Sequence, residues 1–160
     1  MLACAPSNRA ADVIASRLKA MGATSILRLC ALVRDYTEVP EDIRDLCCVN
    51  TDYFFNFPPL EELEEYDVIV CTCVSSGVLS GLGIPRGHFD FIFIDEAGQA
   101  TEPESMVPIK ALADRYTNVV LCGDKKQLGP IVKSPFAKAL GLHQSYFERL
   151  MNQPNSSGAM

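Results

Sequence analysis

Three stretches of the chain are apolar without alternation: DVIVCTCV at residues 67–74, FDFIFID at 89–95 and NVVLCGD at 118–124. A strand with one face in water alternates apolar and polar residues. A continuous apolar run instead belongs in a parallel sheet with both faces covered by helices. Residues 1–5 and 25–32 read as two further strands. Between the strands lie helix signals. Residues 10–21 place Val13, Ile14 and Leu18 on one face and stop at Gly22. Residues 102–113 begin after Thr101, with Glu104 three positions on, the spacing of a capping box, and Pro103 is tolerated in a first turn. Residues 137–152 suggest a last helical region interrupted near Gly141. Residues 33–66, with acidic and aromatic residues and Pro40, Pro58 and Pro59, carry no sustained period. Alternating strands and helices in 160 residues, 48% of them hydrophobic, predict one α/β domain around a mostly parallel sheet.

In such sheets ligands gather at the carboxyl ends of the strands. That rule selects Pro6-Ser7-Asn8, residues 72–76, Asp95-Glu96 and Gly123-Asp124. The segment FIFIDEAGQATEPE, residues 91–104, delivers two carboxylates side by side at a strand end. One can hold a magnesium ion, which prefers oxygen ligands and keeps several waters. The other can orient and deprotonate a water attacking a terminal phosphate. One helix later, LCGDKKQLGP (121–130) presents Gln127, whose neutral amide can sense a phosphate without adding charge. In CAPSNRAAD (4–12), Ser7 and Asn8 suit a helix cap; they equally suit contact with a nucleic-acid backbone. In CTCVSSG (71–77) the hydroxyls of Thr72, Ser75 and Ser76 again serve either a cap or a ligand.

Composition narrows the partners. Fourteen Lys and Arg against 20 Asp and Glu leave a formal charge of −6. Nucleic acid held mainly by charge neutralisation calls for a basic protein. Contact here must be local, through hydroxyls, amides and few cations. No apolar run approaches the roughly 20 residues that span a bilayer, and the opening MLACAPSN lacks a secretory pattern. The seven cysteines are odd in number with no C-x-x-C pair, which predicts free thiols and a reducing compartment rather than structural zinc. Cys4, Cys30, Cys71, Cys73 and Cys122 fall in apolar runs and are expected to be buried.

APSNRAAD, VIVCTCVSSG, FIDEAGQATEPE, GDKKQLGP and SYFERL, in this order and at these gaps, resemble superfamily 1 helicase motifs Ia, Ib, II and III and the segment that follows. The branch is that of the nonsense-mediated-decay helicase. GHF followed by DEAGQATEPES is similar to the Armitage and silencing-defective RNA helicases. The resemblance covers about residues 2–151. It implies a RecA-like, P-loop NTPase fold in three layers, ATP and Mg2+ as ligands, and movement on single-stranded RNA in RNA silencing or decay, with silencing or decay proteins as partners. By the same resemblance Asp95 would hold magnesium and Glu96 would be the general base. Gln127 would contact the γ-phosphate, with Asp124 supporting that site. Ser7, Asn8 and Thr72 would meet the RNA backbone. No G-x-x-x-x-G-K-[ST] occurs in these residues. The expected organisation is therefore a first RecA-like motor domain over 1–152, truncated on its N-terminal side, with a flexible tail over 153–160. The chain alone is expected to be inactive as an ATP hydrolase, and the whole protein to be a cytoplasmic RNA helicase. A non-catalytic RNA- or protein-binding module with the same fold is the alternative. In RecA-like domains the strand entering the phosphate loop lies inside the sheet, so a gap with unpaired backbone is expected beside FDFIFID.

Overall fold

The computed structural model describes residues 1–124 and 126–153. The tail expected at 153–160 lies, from residue 154 onward, outside the described residues. Five strands form one sheet: β1 (Leu2–Ala5), β2 (Ile26–Arg28), β3 (Val68–Thr72), β4 (Phe91–Ile94) and β5 (Asn118–Leu121). Their order across the sheet is β2-β3-β1-β4-β5, and every pairing is parallel. β1, the inner part of β3, and Ile92 and Ile94 of β4 are buried. That explains why these stretches read as continuous apolar runs. This is the α/β, RecA-like architecture that the sequence pointed to.

The expected gap beside FDFIFID does not exist. β4 is hydrogen-bonded to β1 on one side and to β5 on the other. The open margin falls at β5, where Asn118 and Val119 are exposed. The second strand is also shorter than its apolar run, ending at Arg28 rather than residue 32.

Helices cover both faces. α1 (Asn8–Ala20) packs on β1 and β3 through Ala11, Asp12 and Ala15, whose short side chains let it lie close to the sheet. Val13, expected on the buried face, is 44% exposed, while Ile14 and Leu18 pack at its border. Asp12 takes the buried place because two cations pair with it. Arg28 Nε donates to Asp12 Oδ1 at 2.9 Å, and Arg34 Nη2 donates to Oδ2 at 2.6 Å. All three side chains are almost wholly buried. Removing the shared Asp12 carboxylate would strand two buried guanidinium charges, at about 3–5 kcal/mol. The other face holds α3 (Gly77–Gly81) and α4 (Glu102–Leu112), which pack together. Thr101 Oγ1 accepts from the Glu104 N–H at 3.5 Å. Glu104 Oε2 accepts from the Thr101 N–H at 2.8 Å, so the capping box is present.

Residues 33–66 form two 3-10 turns (Tyr36–Glu38 and Glu41–Leu46), one isolated bridge between Val49 and Phe55, and α2 (Leu60–Leu63). The last helical region is two helices, α5 (Pro135–Ala139) and α6 (Tyr146–Met151). Gly141 between them has φ +93°, a left-handed conformation that ends a helix. Arg149 of α6 pairs with Glu102 at the start of α4 at 2.6 Å, which lowers the pKa of that carboxyl.

All seven cysteines are free, and Cys122, expected inside, is exposed. Cys30 follows β2 and accepts from Arg34 Nη1 at 3.4 Å. The neighbouring Cys47 thiol lowers the Cys30 thiol from the ordinary 9.0 to about 6, against the opposing effect of burial and with help from Arg28 and Arg34. Two cations around one carboxylate leave a positive excess that a thiolate balances. A folded pKa below the unfolded one contributes stability that is present above about 9 and lost as pH falls through about 6. The difference in thermal midpoint between the protein and its Cys30→Ser variant should therefore widen from pH 6 to pH 9. A constant difference would show that Cys30 carries no charge.

Candidate functional site at the carboxyl ends of the strands

The register sets out the site. Ala5 of β1 faces Thr72 of β3, while Cys4 faces Ile94 of β4, and Ile94 in turn faces Leu121 of β5. The pairing runs one step past the strands, since the Asp95 N–H donates to Cys4 O and the Cys122 N–H to Ile94 O, each at 2.8 Å. Thr72, Ala5, Asp95 and Cys122 thus stand in one row across the sheet. The polar segments after each strand emerge side by side on its rim.

At Glu96 the backbone leaves the strand with φ +52°. Such a left-handed conformation is uncommon for a residue with a side chain and carries strain of order 1 kcal/mol. Its neighbours hold it there. Asp95 Oδ1 accepts from the Glu96 N–H at 3.0 Å, Glu96 O accepts from the Gln99 N–H at 2.8 Å, and the Ala97 N–H donates to Cys122 O at 2.8 Å. The turn therefore points the two successive carboxylates away from the sheet on fixed backbone.

Gln99 joins this turn to the loop after β5. Its Nε2 donates to Glu96 Oε2 at 2.9 Å and to Gln127 Oε1 at 3.1 Å. Asp124 shapes the second loop, accepting from the Lys126 N–H at its side chain (2.8 Å) and from the Gln127 N–H at its carbonyl (3.1 Å). Gly123 lets the two loops touch. A Cβ there would sit 3.1 Å from Gly98 N and 3.5 Å from Ala97 N, both backbone atoms that cannot swing aside. Asp95, Glu96, Asp124 and Gln127 are thus brought together. Gln99, which the sequence reading left without a role, is the side chain that connects Glu96 to Gln127. Its signal was its place one turn after the carboxylates.

Ser7, Asn8 and Thr72 lie along the same rim, toward β3. Ser7 Oγ caps α1, accepting from the Ala10 N–H at 3.2 Å. Thr72 Oγ1 accepts from the Ser75 N–H at 3.1 Å and donates to Ser75 Oγ at 2.8 Å. Ser7 therefore serves the cap that the local reading foresaw, whereas Thr72 closes a turn ahead of α3, whose N-cap Ser76 makes no side-chain cap bond and donates instead to Cys73 O at 2.6 Å. Ser7 also lines a cavity of about 630 Å³ with Gln99 and Gln127, and a smaller one of about 250 Å³ with Arg9, Asp95 and Glu96. Thr72 borders neither. Among the described residues no group of three or more His, Cys, Asp or Glu side chains is arranged so that it could hold a metal ion. A magnesium ion at this turn would find only the adjacent carboxylates of Asp95 and Glu96, a sparse donor set that suits an ion completed by water and phosphate oxygens. No helix among these residues is long and apolar enough to cross a membrane.

If the strain at Glu96 is conformational, glycine should relieve it. Glu96→Gly is expected to be more stable than Glu96→Ala by about 1 kcal/mol in chemical unfolding, although both lose the carboxylate. Equal stabilities would show that the turn is unstrained.

A family profile described as an AAA domain matches residues 58–135. The chain is 44% identical over 157 residues to the putative helicase mov-10-B.1 of Danio rerio, covering 96% of this chain and 15% of that protein. It is 38% identical over 157 residues to the RNA helicase Mov10l1 of Homo sapiens, covering 96% and 12%. It is 45% identical over 86 residues to the probable RNA helicase armi of Drosophila melanogaster, covering 54% and 7%. The chain thus spans less than a sixth of the length of each of these relatives.

Proposed function

The chain belongs to the helicase family of these relatives, and from that membership we propose that it forms part of an ATP-dependent RNA helicase, within the first RecA-like domain (1–152). In this reading it carries the hydrolytic carboxylates and a stretch of the single-stranded RNA track. The observation that carries the proposal is the pair of hydrogen bonds by which Gln99 ties Glu96 to Gln127 at the carboxyl end of a parallel sheet. RNA silencing or decay as the setting, protein partners from those processes and a cytoplasmic location belong to the same proposal.

Each residue has a task. Asp95 would hold magnesium, which would supply positive charge against the phosphate that is transferred. Glu96 orients a water molecule and takes its proton, and the left-handed turn keeps its carboxylate at one place while it does so. Gln127, whose Oε1 is already held by Gln99, turns its Nε2 donors toward a terminal phosphate oxygen. Asp124 keeps the Gln127 loop in shape. Ser7, Asn8 and Thr72 contact the RNA backbone with neutral groups, consistent with a chain of net charge −6.

In the full-length protein, Glu96→Gln should lower RNA-stimulated ATP turnover by roughly 10²–10⁴-fold with nucleotide affinity kept within a few-fold. Near-normal turnover would remove Glu96 from the role of base. The 160-residue chain by itself, without a G-x-x-x-x-G-K-[ST] loop, should release no phosphate from ATP. Magnesium-dependent, RNA-stimulated release that disappears on Glu96→Gln would refute this.

A further inference from the structure

Arg28 is the largest fully buried side chain, set in the otherwise apolar strand segment Ile26–Leu29. A buried guanidinium is expensive to desolvate, and an apolar residue of similar size usually serves stability as well or better. Asp12 does not require it for lack of another partner, because Arg34 reaches both Asp12 oxygens, at 3.0 and 2.6 Å. What Arg28 alone does is reach across to the start of α1. With Nε on Asp12 Oδ1 and Nη1 on Leu29 O at 2.6 Å, its Nη2 is left aimed at Asn8, 3.2 Å from Oδ1 and 3.5 Å from the Asn8 carbonyl.

We propose that Arg28 is a positioning residue for nucleic-acid contact: it fixes the Asn8 side-chain amide with Oδ1 turned inward, so that the Nδ2 donors face a backbone phosphate on the rim. An asparagine amide has an accepting end and a donating end, and an unanchored one flips between them. A phosphate accepts only from the donating end. Arg28 has donors and no acceptor, so it can hold only the oxygen. The guanidinium fork is locked by Asp12 and Leu29 O, which leaves Asn8 one orientation. A protein of net charge −6 that binds RNA through neutral groups depends on such groups being correctly turned, because long-range attraction does not compensate for a misplaced acceptor. The inference rests on the RNA-backbone role proposed for Asn8.

A double-mutant cycle in the full-length helicase tests it, with affinity for a fluorescein-labelled oligouridine read by anisotropy. Asn8→Ala should weaken binding about tenfold, the scale of one hydrogen bond to a charged group. Arg28→Lys, which can pair with Asp12 but cannot fork, should weaken binding by a similar factor in the wild-type background and less than twofold when Asn8 is already alanine. Equal weakening in both backgrounds, or none in the wild type, overturns the inference. An unchanged affinity in Asn8→Ala would overturn it together with the RNA role of Asn8, leaving the hydrolytic reading to its own test. If Arg28→Lys does not fold, Asn8→Asp decides. It keeps the oxygen Arg28 holds but turns a second oxygen toward the phosphate, so it should bind RNA more weakly than Asn8→Ala while melting no lower. A lower melting point than Asn8→Ala, or tighter RNA binding, refutes the proposal.

Discussion

Leu2–Ala5 is hydrogen-bonded along both edges, to Val68–Thr72 on one side and to Phe91–Ile94 on the other. These four residues are wholly buried or nearly so, and parallel pairing fixes what stands beside them. Because side chains alternate along a strand, slipping either neighbour by one residue would send each of its side chains to the opposite face of the sheet, against the wrong packing partners. It would also carry Asp95 or Thr72 off the rim. The position of the carboxylates is therefore a property of the core. The turn that carries them needs little scaffolding of its own: two backbone hydrogen bonds, one side-chain cap and the close approach that Gly123 allows.

The parts of this architecture that showed in the sequence are those where one physical rule acts alone. Strands apolar on both faces, a helix opened by Thr101 and Glu104, and carboxylates at a strand end each follow from a local pattern. The misreadings arise where a distant partner intervenes. Val13 fits a helical stripe better than Asp12 does, yet Asp12 is inside because Arg28 and Arg34, 16 and 22 residues away, meet it there. Apolar residues after position 28 extended the second strand in the sequence, whereas the ladder ends with the Leu29 N–H donating to Val70 O at 2.9 Å, and Cys30 is buried beyond it. Cys122 lies in an apolar run but sits at the exposed margin of the sheet.

The site was legible as a set of strand ends, and its residues are close together because the sheet is parallel and in register. Its connections were not legible. No spacing rule shows that Gln99 links Glu96 to Gln127 across 28 residues, or that Arg28 meets Asn8 across 20. One trace existed, a charged residue inside an apolar strand, which asks for a partner wherever it occurs.

The sheet is complete on the inside and unfinished at one margin. Along β5, Asn118 and Val119 are exposed, and the Gln127 loop stands over that margin with Lys126, Gln127 and Leu128 in solvent. A strand laid against β5 would move this loop from the periphery of the sheet to its interior. Water around Asp95, Glu96 and Gln127 would thin out, the local dielectric would fall, and each charge would act on its neighbours several times more strongly than it does at an open edge. The same side chains, with no bond among them altered, would then form a far stronger electrostatic environment.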